Sequence, residues 1–178
     1  IQDASVKAPN GAGDVRGFEI DAKGLDLVTY YSRNLAVPAR NDAGDPKVLR
    51  GKQIFYQTGC TACHQPNFVT HRLVDRPEQS FQLIWPYTDM LLHDMGEGLA
   101  DHRPEARANG REWRTAPLWG IGMTERVSGH KNFLHDGRAR SLLEAILWHG
   151  GEAENARTRV IDMPPADRDA LVSYLESL

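Results

Sequence analysis

A mainly α-helical domain with long connecting loops is what this sequence predicts. Apolar residues recur at helical spacing in four stretches, and two of these open with recognisable caps. Prolines break the middle of the chain repeatedly, and no apolar–polar alternation persists long enough to suggest a strand. The 178 residues suit one ordinary domain. Pro9, Gly11, Gly13 and Gly17 make residues 1–24 read as an N-terminal arm, leaving 25–178 as a single domain.

The first helix is expected from Leu25 to Leu35, with Leu25, Val28 and Leu35 inward, ended by Val37-Pro38. Asp45-Pro46 is a cap followed by proline at the first helical position. The helix it opens carries Val48, Gly51, Ile54 and Phe55 on related faces and leads to Gly59. From Gln65 to Gly137 the prolines at 66, 77, 86, 104 and 117 leave room only for short helices, one of them around Tyr87 to Leu92. Ser141-Leu142-Leu143-Glu144 is a capping box, and Gly150-Gly151 closes its helix with His149 on the last turn. A final helix follows Pro164-Pro165, with Leu171, Val172, Leu175 and Leu178 in register.

Composition narrows the class. The chain is 40% hydrophobic and 25% charged, as soluble globular domains are. No run approaches the roughly 18 apolar residues of a membrane span. A net charge of −3 gives no electrostatic reason to expect nucleic acid. Ile1-Gln2-Asp3 lacks the basic-then-apolar pattern of a leader, so the chain is expected to be mature or a piece of something longer.

The only two cysteines stand in Gly59-Cys60-Thr61-Ala62-Cys63-His64. A disulfide across so short a loop stabilises little, and a thioredoxin-type pair needs a βαβ setting that the flanks lack. Zinc would need two more ligands from histidines or carboxylates. Covalent c-type haem attachment requires a histidine directly after the second cysteine, and His64 stands there. Cys60 and Cys63 lie about one helical turn apart, suited to the two vinyl groups of one porphyrin, with His64 offered to the iron. One covalent haem c is therefore expected. Since haem c is attached outside the bacterial cytoplasm, so is a periplasmic location. A helix before the motif and another at the C-terminus match the frame of class I cytochrome c.

Three stretches then point to a family. Leu35-Ala36-Val37-Pro38-Ala39-Arg40 followed by Gly51 to His64 resembles the entry into the C-terminal haem domain of bacterial di-haem oxidoreductases. Leu92-His93-Asp94-Met95-Gly96-Glu97-Gly98-Leu99-Ala100-Asp101 resembles a signature of that group. Arg114-Thr115-Ala116-Pro117-Leu118-Trp119-Gly120 and Phe133-Leu134-His135-Asp136-Gly137-Arg138 are similar to elements of the wider superfamily of di-haem cytochrome c peroxidases and MauG-type enzymes. Family members carry two C-x-x-C-H motifs and this chain carries one. The resemblance thus implies a C-terminal half, working with a redox partner protein or with the N-terminal haem domain that this chain lacks.

The sixth iron ligand is open among Met95, Met123, Met163, His71, His93, His130, His135 and His149. Met163, in a Met-Pro before the last helix, stands where small class I cytochromes place their axial Met; Met95 lies in the family signature. The resemblance favours His149, because in the superfamily the helix after H-D-G ends in the distal ligand. Trp119 and Trp148 are candidates for packing on the porphyrin. Arg114 and Arg138 are candidates for pairing with its propionates. The expected function is single-electron transfer, with a peroxidase-like oxidoreductase as the alternative. The latter would need an open iron and an acid/base such as His135 or Glu97.

Overall fold

The computed structural model describes residues 20–178, and the chain divides between Val37 and Pro38 into two units. The first contains helix α1 (Ala22–Arg33), started by Asp21, whose carboxylate accepts from the Gly24 N–H at 2.6 Å. It matches the expected helix to within three residues at its N-terminus and two at its C-terminus. Leu25, Val28 and Leu35, expected inward, are each more than half exposed. The arm expected over residues 1–24 falls mostly on 1–19, outside the described residues.

The second unit holds helices α2 (Pro46–Gln57), α3 (Thr124–Ser128), α4 (Leu142–Leu147), α5 (Glu154–Asp162) and α6 (Pro165–Glu176). Strands β1 (Phe68–Val69) and β2 (Leu83–Ile84) pair antiparallel, as do β3 (Leu92–Asp94) and β4 (Glu112–Arg114). Helices dominate, as expected, but the two small sheets correct the expectation of none. Strands of two or three residues are too short to display alternation. They exist because pairings such as His93 with Trp113 satisfy the backbone across long loops.

The core forms where α2 meets α6. Asp45 accepts from the Lys47 and Val48 N–H groups and, with Pro46, starts α2. That helix buries Val48, Gly51, Ile54 and Phe55 against Ala170, Leu171, Tyr174 and Leu175 of α6. The crossing is at Gly51, where an added Cβ would sit 1.9 Å from the Ala170 carbonyl oxygen. Leu142 and Ala145 of α4 and Val160 of α5 are also buried. Ser141 caps α4 by accepting from Glu144 N at 3.0 Å, and the Glu144 carboxylate reaches back one residue further than a capping box requires, to Arg140 N.

The helix expected around Tyr87 to Leu92 does not form. Tyr87 and Met90 have φ of 54° and 62°, outside the right-handed helical region. The Tyr87 and Thr88 N–H groups bond instead to Pro66 and Gln65, just after His64. Tertiary bonding has overridden local propensity, and the result is a loop strapped against the Cys60–His64 segment.

Arg50 of α2 grips Asp167 in the first turn of α6 with Nε and Nη2 at 3.0 and 2.9 Å. Hydrogen bonding to and charge from Arg50 hold the Asp167 carboxyl below its ordinary range. A depressed carboxylate pKa contributes stability above the unfolded value, about 3.9, that is lost as pH falls through the lowered folded value. Arg50→Ala should therefore lower the urea midpoint slightly at pH 7, and the gap should narrow as pH falls below about 4 or in about 1 M salt.

Candidate functional site

Helix α2 ends at Thr58, and Gly59 turns the chain with φ of 88° into a 3-10 turn over Cys60–Ala62. The His64 N–H closes this turn on the Cys60 carbonyl at 2.9 Å. Thus α2, anchored by its crossing with α6, fixes the start of the motif. Both thiols are free and partly buried. Burial pushes both up, and the nearby Asp89 and Glu152 charges raise Cys63 further. Thiols held protonated are poor redox nucleophiles, which argues against a thioredoxin-type pair.

His64 sits beside Phe55, ring centres 6.4 Å apart, and its Nδ1 bonds to the Tyr87 carbonyl at 3.0 Å. Burial pushes this imidazole down to about 4. His149 lies just beyond α4 and bonds through Nδ1 to the Ala145 carbonyl at 2.7 Å, and burial lowers it too. A ring that bonds a carbonyl must donate, so each histidine is the neutral Nδ1–H tautomer with its lone pair on Nε2. The two ring centres are 6.5 Å apart. Two neutral imidazoles this close, each with Nε2 left over, form a donor set that would suit a haem iron. The segments supplying the anchors also carry exposed Trp85, Leu91, Leu92, Leu147 and Trp148, apolar surface of the kind a porphyrin covers.

The other sequence candidates are dispersed. Met95 follows β3 and lines a cleft of about 430 Å³ with Leu147, Trp148 and Gly150. Met163 packs against the α2–α6 core, and its carbonyl accepts from Arg168. Met123 Sδ lies 3.8 Å from Asn41 Nδ2. His71 and His130 are exposed, and His135 stacks on Trp113 at 3.5 Å. Arg114 ends β4 with an exposed side chain, and Trp119 is half-buried beside Gly120. Arg138 lies over the Trp148 ring at 4.9 Å and pairs with Asp136.

One constellation was not legible in the sequence. His93 is held between Asp89, 2.9 Å from Nε2, and Glu152, 2.8 Å from Nδ1. The same two carboxylates keep it protonated to higher pH than usual, Glu152 first. Cys63, Asp89 and His93 present ligand atoms within 4.8 Å of one another. Both His93 nitrogens are already engaged, and Cys60 is not part of the group, which argues against zinc held by the cysteine pair. His93 stood in the family signature, but Glu152, 59 residues away, gave no local signal.

No curated protein and no solved structure matches the chain. The family described as di-haem oxidoreductase, putative peroxidase, matches residues 6–178. A match over nearly the whole length, on a chain whose motifs and paired imidazoles suit haem, places it: the chain belongs to the di-haem oxidoreductase family, and family membership implies haem binding and oxidoreductase chemistry.

Proposed function

We propose that this chain is a periplasmic c-type cytochrome domain, built on a class I cytochrome c-like frame, that transfers single electrons through one covalently bound haem. The observation that carries the reading is the pair of neutral, Nδ1-anchored imidazoles of His64, directly after the cysteine pair, and His149, 6.5 Å apart. Cys60 and Cys63 would supply the attaching thiols, and His64 and His149 would hold the iron through Nε2. The haem supplies a one-electron couple at iron, and two imidazoles generally set it at lower potential than His/Met ligation. The Tyr87 and Ala145 carbonyls hold the rings in the binding tautomer. Arg114 would pair with a propionate, because a guanidinium suits a carboxylate, and Trp119 would pack on the porphyrin. One attachment motif in a family described as di-haem supports a partner centre, on a redox protein or an N-terminal haem domain.

The family's description as a peroxidase favours a second reading, an enzyme acting on peroxide. It would need an open iron and an acid/base beside it, such as His135 or Glu97. Expression in a strain competent for cytochrome c maturation tests the first reading. The denatured chain should retain one haem by mass and pyridine haemochrome, and Cys63→Ala should weaken or abolish attachment. An apoprotein of unmodified mass overturns it, and robust peroxide turnover at rates typical of enzymes favours the second reading.

A further inference from the structure

The loop from Tyr87 to Asp94 bonds His64 at one end and Glu152, three residues after His149, at the other. At one end the Tyr87 carbonyl fixes the His64 ring. At the other, Asp89 Oδ2 meets His93 Nε2 at 2.9 Å, and His93 Nδ1 meets Glu152 Oε2 at 2.8 Å. The second Glu152 oxygen accepts from Asp94 N at 3.0 Å. Asp89 is itself fixed, accepting from Leu91 N at 2.9 Å. Glu152 follows His149 by three residues, and the two glycines between them lie flat on the strand. A Cβ on Gly150 would fall 2.9 Å from the Met95 oxygen, and one on Gly151 2.1 Å from the Asp94 oxygen. Nothing bulkier than glycine allows Glu152 to reach back to β3 at this distance.

We infer that the Asp89–His93–Glu152 chain is a strut that sets the separation of His64 and His149 and keeps His149 in place as the distal ligand. His93 and Glu152 are positioning residues; neither is assigned contact with the iron. The inference rests on the proposed ligation by His149. Without the strut, α4 still holds the His149 ring through the Ala145 carbonyl, but the segment behind the ring loses its tie to the loop that holds His64. The ligand should then dissociate more often, exposing the iron to small external ligands.

The test uses the haem-loaded protein at fixed pH and salt and measures the rate of cyanide binding to the ferric form. Glu152→Ala and His93→Ala should each raise it about tenfold or more, the scale of one lost charge-assisted hydrogen bond, with a growing high-spin fraction. Glu152→Gln should restore a near-wild-type rate. Its amide oxygen can accept from Asp94 N, and its NH₂ can donate to His93 Nδ1 once Nε2–H points to Asp89. Arg50→Ala, which destabilises the helix crossing away from the strut, should leave the rate unchanged, separating positioning from loss of stability. If wild-type protein is low-spin and His149→Ala opens it, yet Glu152→Ala and His93→Ala bind cyanide at the wild-type rate, the strut is overturned while the ligation stands. If His149→Ala leaves the iron closed, the ligation fails and the strut with it.

Discussion

Replacing His149 with alanine should convert the ferric haem protein from low-spin to largely high-spin and allow new binding of cyanide, or of carbon monoxide after reduction. His149 is the imidazole 6.5 Å from His64, and its Nδ1–H bond to Ala145 leaves only Nε2 for a metal. Alanine has no donor atom, so the sixth position opens. Wild-type spectra should lack a far-red sulfur-to-iron charge-transfer band. Met95→Ala and Met163→Ala should remain low-spin and cost about 2 kcal/mol of packing, the lower end for buried methionine because both side chains are only partly buried. A sulfur band in the wild type, or an iron opened by Met95→Ala and not by His149→Ala, would assign His/Met ligation and a higher-potential carrier.

The second large effect is expected at Gly51. A side chain there would begin 1.9 Å from the Ala170 oxygen and 2.7 Å from the Tyr174 Cβ. The first of these is backbone inside α6 and cannot step aside, so Gly51→Val must push α2 and α6 apart. The fully buried Phe55, Leu171 and Tyr174 lose contact together. A loss of about 3 kcal/mol or more is expected, a fall of roughly 6–12 °C in Tm for a domain of this size. Because α2 fixes Gly59 and the start of the cysteine motif, haem incorporation should fall in parallel. Gly44→Ala is the matched control. Nothing lies within 4 Å of a Cβ at that position, so its stability should change by less than about 0.5 kcal/mol. Equal unfolding midpoints for the two variants would show that the crossing does not depend on close approach at Gly51.

What the sequence by itself determined was carried by signals that act within a turn or two of chain. Asp45-Pro46 and Ser141 start helices because a cap satisfies N–H groups two or three residues on. Pro164-Pro165 marks the start of α6 for a similarly local reason. Cys60, Cys63 and His64 are readable because their spacing is itself the chemistry. The helices α3 and α5 carry no such cap from a side chain, and the sequence reading located neither. Only the tertiary structure decided the rest. The segment from Tyr87 reads locally as a helix, yet it becomes a loop and strand because its N–H groups and the Tyr87 carbonyl find partners around His64. Glu152 meets His93, and His149 lies beside His64, through contacts between residues 59 and 85 positions apart. Local propensity carries no record of such pairings. They follow from where the α2–α6 crossing and the close glycine contacts at β3 leave each side chain once the chain has packed.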